Sequence, residues 1–284
     1  MFTSRLHYWW MVAPALLLFF GFHTFPALQG LFYSFTNYRG YGDYDFVGLK
    51  NYFNVFQDSR ALNAYAFTFK FAVISTILVN ILSLALAIGL NANIKLKSFL
   101  RGVFFIPNIL SILIVGFVFR FIFAQLLPEL FAGTPVLGFN ILGKPDFAWI
   151  GIIIVAVWQA VAFNTLLYLA GLQTIPEDLY EASRIDGANR WQEFRMITFP
   201  MIAPFFTINM VLALKNFLMA FDHIMALTGG GPGRSTESIS IVIYRGAFEG
   251  GEFAYQSANA VIYFVVIAVI AAVQLRTLRL REGK

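Results

Sequence analysis

The chain has 284 residues, of which 59% are hydrophobic and only 12% are charged, with a formal net charge of +5. A soluble domain carries roughly a quarter charged residues, so this composition excludes an ordinary soluble protein and indicates a membrane protein. The chain has no cysteine, which excludes disulfides and thiolate metal sites. Its three histidines lack the spacing of metal ligands, so we expect neither a metal nor another cofactor.

Six segments are long and apolar enough to cross a bilayer, because a transmembrane helix needs about 20 mainly apolar residues. The third and fifth of these segments are interrupted by polar residues. The sequence therefore predicts an all-α, polytopic membrane protein with a single domain that covers residues 1–284. In chain order, the expected spans are about 8–34, 66–91, 101–127, 147–172, 200–227 and 257–276.

The distribution of Lys and Arg predicts the orientation. With the N-terminus in the cytoplasm, the cytoplasmic loops and tails carry eleven Lys and Arg residues and the opposite side carries six. Because cytoplasmic loops are enriched in these residues, both termini are expected to be cytoplasmic, which agrees with an even number of spans. The basic residues lie in short loops and not on one face, so we expect no nucleic-acid partner.

A polar segment, residues 173–199, separates the fourth and fifth spans and is cytoplasmic in this orientation. Pro176 suits a helix start, and Glu177 and Asp178 follow it where carboxylates favour the helix dipole. Gly187 is expected to break the helix. The pattern predicts two short helices joined at a glycine along the membrane surface. An amphipathic connector that rests on lipid headgroups is the alternative.

The polar segment resembles the EAA loop of membrane subunits of binding-protein-dependent ABC importers. The match extends over about 30 residues with the spacing of that family, and Ser183 stands where Ala is usual. The residues that carry the resemblance are 175–183, 186–188, Phe194, Ile197, Pro200 and Pro204.

This resemblance implies the type I ABC importer permease fold and a coupling helix that docks in a groove of an ATPase subunit. Gly187 would provide the bend that fits this groove. The residues implied to couple the chain to the ATPase are Glu181, Ala182, Ser183, Asp186, Gly187 and Ala188.

A glycine-rich stretch, residues 227–232 (LTGGGP), resembles the sugar-permease branch of the same family, which includes maltose and glycerol-phosphate permeases. Residues 229–236 (GGGPGRST) look like a phosphate-binding loop, but Arg234 replaces the required lysine and no buried strand precedes these residues. We therefore expect an extracytoplasmic turn, which in this family approaches the binding protein. The candidate contact residues are Gly229, Gly230, Gly231, Pro232 and Arg234.

The fourth and fifth spans carry polar side chains, which in a bilayer face an interior or a cavity. Gln159 and Phe163 are four residues apart and share one helix face. Amide hydrogen bonds combined with aromatic stacking suit a neutral sugar or polyol, whereas hydrogen bonds between helices are the alternative, which we favour for Asn164. The candidate substrate-path residues are Gln159, Phe163, Asn164, Asn216, Phe217 and Ala220.

Lys215 lies in the fifth span, where an unpaired ammonium group is costly. Asp222, seven residues further on, is a possible partner. Lys215 could instead attract an anionic substrate, which keeps a phosphorylated or acidic sugar open.

We expect the chain to be the transmembrane subunit of an ATP-driven importer that moves a sugar or oligosaccharide by alternating access. It is not expected to be an enzyme, since the resemblance places ATP hydrolysis in partner ATPase subunits. Implied partners are a second, homologous permease, two ATPase subunits, an extracytoplasmic solute-binding protein, the lipid bilayer and the sugar. The implied location is the prokaryotic cytoplasmic (inner) membrane.

Two alternatives stay open. An ion-coupled secondary transporter needs an intramembrane carboxylate to hold the coupling ion, and only Asp222 is a candidate. The second alternative is an ABC importer whose substrate is a sugar phosphate or a polyol.

Overall fold

A computed structural model describes residues 3–134 and 138–282. These residues are mostly helical and contain no β-strand, apart from one isolated antiparallel bridge between Thr36 and Phe46. In chain order the α-helices are α1 (Thr3–Phe19), α2 (Phe25–Tyr33), α3 (Lys50–Val55), α4 (Ser59–Asn91), α5 (Lys97–Ile109), α6 (Ile112–Phe121), α7 (Leu127–Leu130), α8 (Pro145–Leu172), α9 (Glu177–Ile185), α10 (Arg190–Glu193), α11 (Phe199–Leu218), α12 (Asp222–Leu227), α13 (Ile239–Phe248) and α14 (Phe253–Glu282).

Six helical stretches within the described residues are long and apolar enough to cross a membrane, which confirms the predicted number. Three of these six stretches each contain one π-helical turn. The turns are Phe20–Thr24, Ile122–Leu126 and Phe194–Thr198. The second, fourth and sixth predicted spans lie within α4, α8 and α14. The six stretches are Trp10–Tyr33, Ser59–Asn91, Ile112–Leu130, Pro145–Leu172, Arg190–Leu218 and Phe253–Thr277.

The third predicted span, 101–127, is wrong because it joins two helices. Helix α5 ends at Ile109, and Leu110 and Ser111 are extended, with ψ angles of 139° and 132°. Pro107 lies in the last turn of α5 and lacks the N–H that would continue the helical ladder. A backbone break at this depth is stable only where other groups satisfy its carbonyls. The span itself begins after the break, at Ile112.

The fifth predicted span, 200–227, is also wrong at its end. Helix α11 ends at Leu218, and α12 begins at Asp222 after a short non-helical turn. Ser238 Oγ donates a 3.1 Å hydrogen bond to the Ala220 carbonyl inside this turn, so the freed backbone acceptor is satisfied. The glycine-rich loop that follows is shorter than expected, because α13 occupies much of it.

The described chain divides into two compact units, Met1–Leu62 with Val242–Val266, and Asn63–Ile241 with Ile267–Lys284. In the first unit, buried Asn51 donates hydrogen bonds to the carbonyls of Ser34 (2.9 Å) and Thr36 (2.7 Å) and so fixes the loop after α2.

The second unit is built around α8, whose side chains form much of its hydrophobic core. Ile152 and Ala156 are buried there with Phe71 and Phe217 from neighbouring helices. Small residues let helices approach closely in a membrane protein. Gly116 is an example, since a Cβ atom at this position would overlap the Cβ of Ala226.

A polar contact also joins α4 to α8 inside this unit. The Tyr168 hydroxyl is buried and donates a 2.6 Å hydrogen bond to Asn80 Oδ1, while Asn80 Nδ2 donates to the Thr76 carbonyl. The Asn80 side chain is therefore held on both of its ends, and it ties the fourth span to the second.

Replacing Tyr168 by Phe should lower the free energy of unfolding by about 1 kcal/mol, because the buried Asn80 oxygen loses its donor. Thermal unfolding of the purified chain in detergent measures the change. Tyr41→Phe is the matched control, since Tyr41 is 74% exposed. Equal melting temperatures for the two variants would contradict a stabilising role for the hydroxyl.

Candidate functional site

The polar segment 173–199 folds as two short helices joined at a glycine. Helix α9 begins after Pro176, with Glu177 and Asp178 in its first turn, where their charges favour the helix dipole. Gly187 follows the helix with φ = +79°, a left-handed conformation that glycine adopts without steric cost. The Ala188 N–H donates to the Ser183 carbonyl at 2.9 Å and closes the helix end.

Side-chain contacts hold the two helices of the polar segment together. Asn189 and Gln192 form a capping box that starts α10. Arg184 Nε donates to Glu193 Oε1 at 3.0 Å, which joins the end of α9 to α10. The Arg184 side chain is 64% exposed, so this ion pair adds little stability but restricts geometry. The segment is thus a defined hairpin and not a free loop.

One side of the hairpin presents large apolar side chains to solvent. Ile185 is 87% exposed, Met196 is 74% exposed and Trp191 is 67% exposed. Trp191 and Met196 also lie within the apolar stretch Arg190–Leu218, whereas Ile185 lies outside it. The sequence analysis missed these three residues, although apolar side chains in a polar stretch are visible in the sequence. Of the predicted coupling residues, Glu181, Ala182, Asp186 and Gly187 are exposed, and Ser183 and Ala188 are half-buried.

The second unit contains a cavity of about 530 Å³ beside the two helix breaks. It lies between α8, the end of α11, α12 and the α5–α6 junction. All six predicted substrate-path residues line it: Gln159, Phe163, Asn164, Asn216, Phe217 and Ala220. The sequence analysis missed four polar residues that also line it: Asn108, Ser111, Asp222 and His223.

Gln159 connects both helix breaks. Its Nε2 donates to the carbonyls of Pro107 (3.1 Å) and Leu110 (2.8 Å) at the α5–α6 break. Because carbonyls only accept, these contacts fix the orientation of the amide and leave Oε1 toward His223 Nε2, at 3.0 Å. His223 Nε2 must therefore carry the hydrogen. Gln159 is fully used in protein hydrogen bonds, which favours the structural interpretation for this residue.

The other amides in the cavity are less committed. Asn164 Nδ2 donates to the Ala160 carbonyl at 2.8 Å, but its buried Oδ1 has no partner among the described residues. Asn216 is exposed to the cavity side, and its side chain forms no hydrogen bond within the described part of the protein. The exposed Asn216 amide is available to a bound molecule, whereas Asn164 Oδ1 has almost no accessible surface.

Lys215 does not line the cavity, although Asn216 beside it does. Successive residues of a helix point about 100° apart, which separates the two side chains. Within the described residues Lys215 also forms no ion pair, so the suggested pairing with Asp222 is wrong.

The glycine-rich loop is a compact turn. Gly229 and Gly230 have φ angles of 58° and 86°, and the hydroxyls of Thr228 and Thr236 are 2.8 Å apart across the loop. Thr236 Oγ1 also donates to the Gly231 carbonyl at 2.6 Å. Arg234 is exposed, and Gly231 and Pro232 are half-buried.

Residues 80–279 match the family described as binding-protein-dependent transport system inner membrane component. The chain belongs to this family. The matched region includes α8, the polar segment, the cavity and the glycine-rich loop. The protein is therefore a multi-pass inner-membrane permease subunit of an ABC importer, as the sequence predicted.

Two relatives are similar to this permease over nearly their whole length. It is 38% identical to the probable starch degradation products transport system permease of Thermoanaerobacterium thermosulfurigenes, with 99% of this chain and 97% of the relative covered. It is also 38% identical to the multiple sugar-binding transport system permease of Streptococcus mutans, over 94% of this chain and 93% of that one. The permease is thus similar to subunits of sugar ABC importers.

Solved structures share the fold. A chain of a bacterial ABC transporter for import of the acidic polysaccharide alginate has a TM-score of 0.86 at 23% identity, covering 98% of this permease and 96% of that chain. A second structure, of the alginate transporter in complex with an alginate pentasaccharide-bound periplasmic protein, gives 0.82 at 24% identity and covers 96% and 93%. These matches confirm the predicted permease fold.

Replacing Gln159 by Leu, which is similar in size, should lower the free energy of unfolding of the permease by about 2 kcal/mol. The reason is that two break carbonyls and the His223 N–H lose their partner together. Asn216→Leu is the matched control in the same cavity and should change stability by less than about 0.5 kcal/mol. Denaturant unfolding in micelles measures both. A Gln159 variant as stable as the control would show that the breaks are satisfied without this side chain.

Proposed function

We propose that this permease is a transmembrane subunit of an ATP-driven importer that translocates a sugar or oligosaccharide delivered by an extracytoplasmic binding protein. One observation carries the proposal. The polar segment 173–199 joins α8 directly to α11, and these two helices supply five of the six predicted residues of the cavity, while Ala220 lies in the turn that follows α11. A force on the segment therefore reaches the cavity through continuous helix.

The proposed coupling works through the hairpin of the polar segment. The exposed apolar side chains of Ile185 and Trp191 dock on an ATPase subunit, with Glu181 and its neighbours in the groove. Because Arg184 and Glu193 hold α9 against α10, the hairpin moves as one piece and carries α8 and α11 with it. ATPase closure and opening then switch the cavity between its two access states.

The helix breaks are the proposed points of movement. The α5–α6 and α11–α12 breaks both border the cavity, and Gln159 contacts both sides. Non-helical backbone at membrane depth is typical of transporter substrate sites. A small shift of α8 would change the Gln159 contacts and open or close the cavity edge.

The chemistry of the cavity supports a saccharide as substrate. Asn216 offers a donor and an acceptor, Asp222 offers acceptors, and Phe163 and Phe217 provide aromatic rings. Saccharide hydroxyls pair with such amides, and sugar C–H faces stack on such rings. The names of the two relatives, which refer to starch degradation products and multiple sugars, agree with this class.

The proposed complex contains a second, homologous permease, two ATPase subunits and the binding protein. Both termini of this chain are placed in the cytoplasm, which puts the polar segment on the ATPase side and the glycine-rich loop outside. The compact turn around Gly230 and exposed Arg234 would contact the binding protein and assist release of the sugar.

The energy source is tested in proteoliposomes that hold the complete complex, with ATP inside and binding protein and labelled oligosaccharide outside. We expect uptake to continue when ionophores collapse all ion gradients, because ATP hydrolysis drives the movement. Liposomes filled with ADP are the control and should take up nothing. Uptake that stops with the gradients would identify an ion-coupled secondary transporter instead.

The coupling role is tested at Gly187, whose φ of +79° is strained for a β-branched residue. Gly187→Val should deform the end of α9 and reduce ATPase co-purification and transport about five- to thirtyfold, as a strain of about 1–2 kcal/mol predicts. Gly187→Asn is the matched control, because Asn adopts the left-handed conformation at low cost.

Both Gly187 variants should insert and fold, since no atom lies within 4 Å of a Cβ at this position. Normal ATPase binding and transport by the Val variant would remove the polar segment from the coupling mechanism. Loss in both variants would show that the position is sensitive to any side chain and not to backbone conformation.

A further inference from the structure

The cavity beside the helix breaks has an unusual balance of charge. Among the described residues that line it, Asp222 is the one carboxylate, and no Lys or Arg side chain is present. Lys215, which precedes the lining residue Asn216 in the sequence, is not among the residues that line the cavity.

The protonation state of His223 does not make the net charge of the cavity lining positive. Its Nε2 carries a hydrogen toward Gln159 in either protonation state, because Gln159 Oε1 can only accept. If the ring is neutral, the lining has the negative charge of Asp222. If the ring is an imidazolium, the two adjacent charges cancel. In neither state does the lining of this chain carry net positive charge.

The uncommitted polar groups in the cavity also favour one kind of ligand. Asp222 presents a carboxylate, which is an acceptor, and the exposed Asn216 presents an amide, which donates and accepts. Acceptors need hydrogen donors from the ligand. Saccharide hydroxyls supply them, whereas ionised carboxylate and phosphate groups have no hydrogen to give.

We infer that this cavity takes uncharged saccharides and discriminates against uronates and sugar phosphates, with Asp222 as the specificity-determining residue. The inference rests on the proposed function and narrows its substrate class. An anionic ligand loses its hydration on entry, gains no cation from this chain and meets the Asp222 carboxylate. A neutral saccharide donates to Asp222, pairs with the Asn216 amide and lies against the phenyl rings.

The test measures binding to the complete permease–ATPase complex in nanodiscs, without binding protein, so that the specificity of the binding protein does not enter. The probes are neutral di- to tetrasaccharides and uronate oligomers of the same lengths, followed by isothermal titration. We expect the best neutral saccharide to bind at least about tenfold tighter than the best uronate, as one unit charge at close range predicts. Asp222→Asn should reduce that difference to within about threefold.

Two further variants keep the result interpretable. Asp222→Glu keeps the charge and should keep the discrimination, so it separates charge from folding. Lys215→Gln is the matched control on α11 and should leave selectivity unchanged, whereas an anion-binding role for Lys215 predicts loss of uronate binding.

Uronates that bind as tightly as neutral saccharides, or unchanged discrimination in the Asn variant, would overturn the inference. ATP-driven uptake in the proteoliposomes would in that case still support the proposed function. If no saccharide of either kind binds and ATP drives no uptake, the proposed function fails together with the inference.

Discussion

The fold of this permease depends on one constraint, that backbone polar groups inside a bilayer must be satisfied within the protein. Most of the chain meets it with uninterrupted helix. Two places do not, the α5–α6 junction and the α11–α12 turn, and there the carbonyls are satisfied from neighbouring elements. Gln159 serves the first junction, and Ser238 serves the second. The cavity borders both of these non-helical segments.

Gln159 links this constraint to transport. Its amide is a structural group in the conformation described, since all of its polar atoms are engaged. It is also the one side chain of the described structure seen to contact the edges of both breaks. A motion of α8 would therefore shift both edges together. Asn216, which forms no such contacts, is left for the ligand.

The polar segment 173–199 differs from the cavity region in its contacts and its exposed side chains. Arg184 and Glu193 connect its two helices to each other, the Ala188 N–H closes the end of α9, and Ile185, Trp191 and Met196 are exposed. A stiff connector with an exposed apolar surface suits the transfer of force from a soluble partner to membrane helices.

The sequence was sufficient for the class, the number of spans, the two short helices of the polar segment and the family, because hydrophobic length and local helix signals such as Pro176 and Gly187 act over short distances. It also named six residues of the cavity, since i to i+4 spacing fixes a helix face. The helix breaks and the roles of Asp222 and His223 came only from the tertiary structure. Apolar composition does not end at residue 110 or 219, and side chains from elsewhere in the sequence, Gln159 and Ser238, satisfy carbonyls that the breaks leave free.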